Sequence, residues 1–93
     1  MRGKELFEAI VMLESEDEAE KFLLDLCTPK ELKAMKERWR VCQMLERGKL
    51  SYREISNATG ASTTTVTRVA RFLNGEPHGG YRSLIDKTKV KNV

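Results

Sequence analysis

The chain has one histidine, two cysteines, two prolines and a single tryptophan, and each scarcity closes off a line of chemistry. Cys27 and Cys42 are too few and too far apart for a disulfide framework. With His78 as the sole imidazole they match no zinc-ligand spacing, so no metal is expected. Both cysteines fall on apolar faces, which suits small buried hydrophobes. A lone histidine leaves no basis for an enzyme or a cofactor, because no nucleophile motif, phosphate-binding glycine loop or carboxylate pair accompanies it. Long apolar runs are missing as well. The stretch "MRGKELFEAIVML" is broken by Lys4, Glu5 and Glu8, so it reads as neither a signal peptide nor a membrane span. The expected compartment is the cytoplasm.

What remains is ordinary in amount and uneven in placement. Hydrophobic residues make up 40% and charged residues 33% of 93 positions, the balance of a single small folded domain with a limited core. Residues 1–27 hold three basic and eight acidic side chains, whereas residues 28–93 hold fourteen basic and six acidic. A basic part joined to an acidic part suits a polyanion-binding face on a body that avoids the polyanion.

Three helix starts carry one capping pattern: Ser15 with Glu18, Thr28 with Glu31, and Ser51 with Glu54. Pro29 follows Thr28 at the position where a helix best tolerates proline. These signals predict helices near 3–13, 16–27, 29–47, 52–58 and 63–73, with a shorter one over 81–89 after the "HGG" break and a polar tail, "DKTKVKNV", from residue 86. No strand alternation competes. The first helix is apolar around most of its circumference, from Leu6 to Leu13, so burial on more than one side is expected. The third carries two stripes, Leu32, Met35, Trp39 and Cys42 on one side and Ala34, Val41 and Leu45 on the other. One chain of this size has little with which to cover both, which predicts a second copy.

The stretch from Ser51 to Leu73, "SYREISNATGASTTTVTRVARFL", reads as a helix-turn-helix. Gly60 stands where a tight turn needs positive φ. In the second helix, Val66, Val69, Ala70 and Leu73 face inward, while Thr64, Thr67, Arg68 and Arg71 point out and Thr63 stands at the leading end. Residues 63–67 are all β-branched, at a cost on the order of 2–3 kcal/mol of helix propensity relative to alanine. Threonine repays this in a groove, where it offers a hydroxyl to base edges and a methyl to thymine on a short, stiff stem. The residues placed to meet DNA are Tyr52, Arg53, Ser62, Thr63, Thr64, Thr67, Arg68 and Arg71.

The residues from 28 to 68 resemble the tryptophan repressor family, and its repressor-like branch more than the repressor itself. The likeness lies in Thr28-Pro29 with Glu31 and Ala34, in the Arg38 and Arg40 pair, in Arg47-Gly48 with Ser51, Arg53 and Glu54, and in "GASTTTVTR". It implies an all-α fold of five to six helices in an intertwined homodimer. Residues 1–50 would supply the dimerisation helices, 51–74 the helix-turn-helix and 75–93 the C-terminal short helix and tail. Two reading heads would enter successive major grooves of a palindromic operator, about one turn or roughly 34 Å apart. Thr63, Thr64 and Thr67 would face base edges, with Tyr52 and Arg53 near the backbone or outer bases.

The resemblance also implies a corepressor pocket at Thr28, Arg38, Arg68, Val69 and Phe72. Two of these depart from the family. Val69 replaces a glycine beside the ligand, and Phe72 replaces a serine that helps hold the amino group, so its ring stands to occupy the space an indole would need. Bulk in place of space, and the loss of an ammonium acceptor, both penalise tryptophan. A smaller ligand on Arg38 and Arg68 stays open, as does phosphate contact by those arginines. Two broader alternatives stay open with them. The same dimer could serve as a protein-interaction adaptor or a regulator of the transcription machinery. RNA is less well served, since the sequence offers few aromatics for stacking. Calorimetry with L-tryptophan is expected to show no saturable micromolar binding; such binding would overturn the reading of Val69 and Phe72.

Overall fold

The computed structural model describes residues 3–75 and 77–91. Among them are six α-helices and no strand: α1 (Leu6–Val11), α2 (Glu16–Leu26), α3 (Pro29–Arg47), α4 (Tyr52–Thr59), α5 (Thr63–Asn74) and α6 (Gly80–Lys91). None of these helices is long and apolar enough to cross a membrane. The chain forms two compact units that part within α3, after Lys33.

The predicted caps close the helix starts. The Glu18 amide donates to Ser15 Oγ at 3.0 Å. Thr28 and Glu31 bond reciprocally, with the Thr28 amide on Glu31 Oε1 at 2.8 Å and the Glu31 amide on Thr28 Oγ1 at 3.1 Å. Ser51 and Glu54 repeat that pair at 2.8 and 3.1 Å. Each such cap satisfies amides that the helix itself leaves open, typically for about 1 kcal/mol. The same bonds hold the carboxyls of Glu31 and Glu54 below the usual glutamate range.

The first unit departs from what its sequence pattern predicts. The first helix spans six residues rather than the expected 3–13. Glu5 is extended, with its amide on Glu8 Oε1 at 3.1 Å, and at the far end Met12 and Leu13 bond back to Ala9 and Ile10 in the tighter i−3 pattern. Nor is α1 buried within the single chain: Phe7 is 80% exposed and Val11 73%. On α2, Leu24 and Leu26 also face solvent. Among the described residues of this unit, Leu32 is the one buried hydrophobic side chain.

The second unit holds the core. Val41 and Cys42 of α3, Ile55 of α4, Ala61 of the turn, Val66, Val69 and Leu73 of α5, and Ile85 of α6 form one buried cluster, with Trp39, Met44, Leu45 and Tyr81 packed on it. Burial along α3 does not divide by its two stripes, since each contributes a buried and a half-buried residue. Val41 and Cys42 are closed off, Ala34, Trp39 and Leu45 are half-buried, and Met35 is exposed. Burial pushes the Cys42 thiol up to about 11, the state of an inert packing residue. Cys27 is half-buried at the end of α2.

The helix expected over 81–89 is longer, and the segment read as a polar tail is part of it through Lys91; Asn92 and Val93 lie outside the described residues. Two anchors make it a helix. Ile85 enters the core, and Glu46 of α3 takes both Arg82, at 3.0 Å, and Lys89. Arg82 also reaches Asp86 at 3.6 Å. The hydrogen bonds from Arg82, then Lys89, hold the Glu46 carboxyl down at about 2, against an ordinary 4.5.

A carboxyl depressed in the folded state contributes stability that is complete above pH 4.5 and is lost as the pH falls toward about 2. The Lys89 side chain is 58% exposed, so solvent screening holds the gain to about 1 kcal/mol. Glu46→Gln is therefore expected to lower stability by about that amount at pH 7. In urea titrations the gap to wild type should close between pH 4.5 and about 2; a gap that persists at pH 2 would trace the loss to packing instead.

Candidate nucleic-acid interface

Helix α4 begins at the Ser51 cap and ends at Gly60, whose φ of 85° is left-handed. Around that residue the turn is closed by hydroxyls. Ser56 Oγ donates to the Ala61 carbonyl at 2.6 Å, and Thr59 Oγ1 donates to the Ile55 carbonyl at 2.8 Å while accepting from the Ala61 amide at 3.2 Å. Thr59 is buried, so these bonds also satisfy a polar group that water cannot reach. The chain leaves this turn at a set angle, with Ala61 seated in the core.

Helix α5 then starts on a Ser62 cap. The Thr65 amide donates to Ser62 Oγ at 3.1 Å, and the Ser62 hydroxyl donates in turn to Thr65 Oγ1 at 3.0 Å. Four residues further on from Thr63, Thr67 Oγ1 donates to the Thr63 carbonyl at 3.0 Å. Val66, Val69, Ala70 and Leu73 are buried; Thr63, Thr64, Thr67, Arg68 and Arg71 are exposed. At 100° per residue the exposed five lie within a single arc opposite the buried four.

Electrostatics favour an anion along this arc. Helix α5 contains two arginines and no acidic residue. Its open N-terminal amides add partial positive charge beside the threonines. Among the described residues, neither Arg68 nor Arg71 is paired with a carboxylate. Both guanidiniums instead lie over the ring of Phe72, at 4.8 Å for Arg68 and 5.9 Å for Arg71. Tyr52 and Arg53, at the start of α4, are exposed.

Ser62 lies on the surface, but its hydroxyl is engaged twice by Thr65 as the cap of α5. Thr28 is likewise a cap, on α3. The other four residues of the pocket implied by resemblance do come together. Arg38, Arg68, Val69 and Phe72 line an open cleft of about 720 Å³, completed by His78, Tyr81 and Leu84. Phe72 forms a wall of that cleft rather than filling it. The contributions of His78, Tyr81 and Leu84 were not legible in sequence, because they depend on how α6 returns across α5. Ser56 and Thr59 were missed too, although a hydroxyl pair flanking a turn glycine is a recognisable signal.

The Trp repressor protein family model matches residues 2–89. The chain belongs to the Trp repressor family. It is 39% identical over 92 residues to the uncharacterized protein YerC of Bacillus subtilis strain 168, across 96% of this chain and 86% of that protein. The solved structure of a TrpR-like protein from Eubacterium eligens ATCC 27750 superposes with a TM-score of 0.79 at 39% identity, covering 89% of this chain and 84% of the other. The family is one of helix-turn-helix DNA-binding regulators, not of enzymes.

Replacement of Gly60 tests the turn that aims α5. A Cβ there would be forced into left-handed φ and would sit 3.3 Å from Glu37 Oε2. Gly60→Ala is expected to destabilise the protein by about 1–2 kcal/mol, read as a lower thermal midpoint, and an unchanged midpoint would mean the turn relaxes freely.

Proposed function

We propose that this protein is a sequence-specific transcription regulator, acting as a repressor, that binds a palindromic operator as a homodimer and needs no tryptophan. The observation that carries the reading is the division of α5, with four apolar residues buried and a threonine–arginine face left to solvent. Thr63, Thr64 and Thr67 meet base edges, and Arg68 and Arg71, with Arg53 and Tyr52 from α4, meet the backbone. Ser62 presents the leading amides of α5 to a phosphate.

The exposed apolar side chains of α1 and α2 support the dimer, since Phe7, Val11 and Leu24 are poor surface residues for a lone chain. Residues 1–50 serve association, 51–74 reading, and 75–93 the bracing of the reading head. Phe72 lines the cleft with a side chain that offers no acceptor to an ammonium group, which argues against tryptophan as its ligand. Such a regulator works in the cytoplasm, on chromosomal DNA.

The test is selection of bound sequences from a random double-stranded pool by the purified protein at fixed, near-physiological salt. A two-fold symmetric motif is expected without added ligand, with affinity falling steeply as salt rises. Enrichment only in the presence of tryptophan would overturn ligand independence. No enrichment under either condition, from folded protein, would overturn the DNA reading and favour a protein partner.

A further inference from the structure

The pair of guanidiniums on one ring is not explained by folding. Arg68, Arg71 and Phe72 all belong to α5, and the two arginines lie on the face that the preceding reading assigns to DNA. Surface arginines usually sample many rotamers, or settle on a nearby carboxylate. Here no carboxylate holds either one among the described residues. The half-buried ring of Phe72 holds them instead, with Arg68 at 4.8 Å and Arg71 at 5.9 Å from its centroid. Both distances fall within the range of cation–π attraction.

A ring differs from a carboxylate in what it leaves free. A carboxylate would consume the N–H donors and cancel the charge. A ring attracts the cation without consuming a hydrogen-bond donor, so the N–H groups remain available for the bidentate geometry that suits a phosphate. Two cations drawn to one ring also repel each other, and a phosphate brought against them relieves that repulsion. The ordering is done before DNA arrives, so less rotamer freedom is lost on binding.

We propose that Phe72 is a positioning residue for DNA binding: its ring holds Arg68 and Arg71 ready for phosphate contact in the free protein. The inference rests on the DNA reading above and adds to it an assignment for a residue that touches no base. It concerns this chain's own side chains and requires no ligand.

The experiment compares wild type, Phe72→Leu, Phe72→Trp, Arg68→Gln and the double variant Phe72→Leu/Arg68→Gln. Each is checked for helicity by circular dichroism and titrated with the duplex recovered by selection. Phe72→Leu keeps an apolar wall but removes the ring face, and is expected to weaken binding about fivefold per reading head. Phe72→Trp should retain wild-type affinity, and adding Phe72→Leu to Arg68→Gln should cost less than Phe72→Leu costs the wild type, because only Arg71 is then left for the ring to hold. NMR of the free proteins supplies a readout that needs no DNA. The Arg68 Nε–Hε resonance should be ring-shifted in wild type and return to its usual position in Phe72→Leu. An absent ring shift, or Phe72→Leu binding as tightly as wild type, would overturn the proposal. Wild-type protein that bound no duplex would overturn the DNA reading, and this role with it.

Discussion

Val66 and Val69 are shut away from solvent in one cluster with Val41, Ile55 and Ile85, and their burial sets the rotation of α5 about its own axis. Everything the helix offers outward depends on that rotation. A turn of 100°, one residue's worth, would carry Arg68 to where Val69 now lies in the core and lift Val66 into water. Burying an unpaired arginine costs far more than the helix propensity lost at five β-branched positions, so the inward stripe and the outward face enforce each other. Threonine in α5 is tolerated because valine at Val66 and Val69 is needed, and both are paid for by the same core.

The angle at which α5 leaves α4 rests on a second constraint, made of hydroxyls rather than methyls. Ser56 and Thr59 close the loop around Gly60 from within, each spending its hydrogen on a main-chain carbonyl. Such bonds act at short range and in one geometry, whereas apolar contact allows sliding. The core holds the two helices together, and the turn decides how they point.

The parts of this arrangement that were legible in sequence are those encoded over a few residues. Thr28 with Glu31 and Ser51 with Glu54 announced their helices because a cap is a local transaction between residues three apart. The inward and outward faces of α5 followed from periodicity alone. Helix α1 was read too long and α6 too short at its C-terminal end, for opposite reasons. The apolar content of α1 implied burial but could not say by what, and within one chain it stays exposed. The polar content of the last turns of α6 implied a tail, because the residue that organises them, Glu46, lies far back on α3. The cleft was half legible. Arg38, Arg68, Val69 and Phe72 could be grouped by resemblance, but His78 and Tyr81 join them only through the path of the chain after α5.

Thr67 shows how a backbone bond can edit what a side chain says. Its hydroxyl hydrogen is given to the Thr63 carbonyl, so outward it presents oxygen lone pairs and a methyl group, and no donor. In a major groove that vocabulary accepts from the amino groups of adenine or cytosine and greases against thymine, but it has nothing to give to the acceptor edge of guanine. The helix's own main chain has thus removed one letter from the alphabet available at that position.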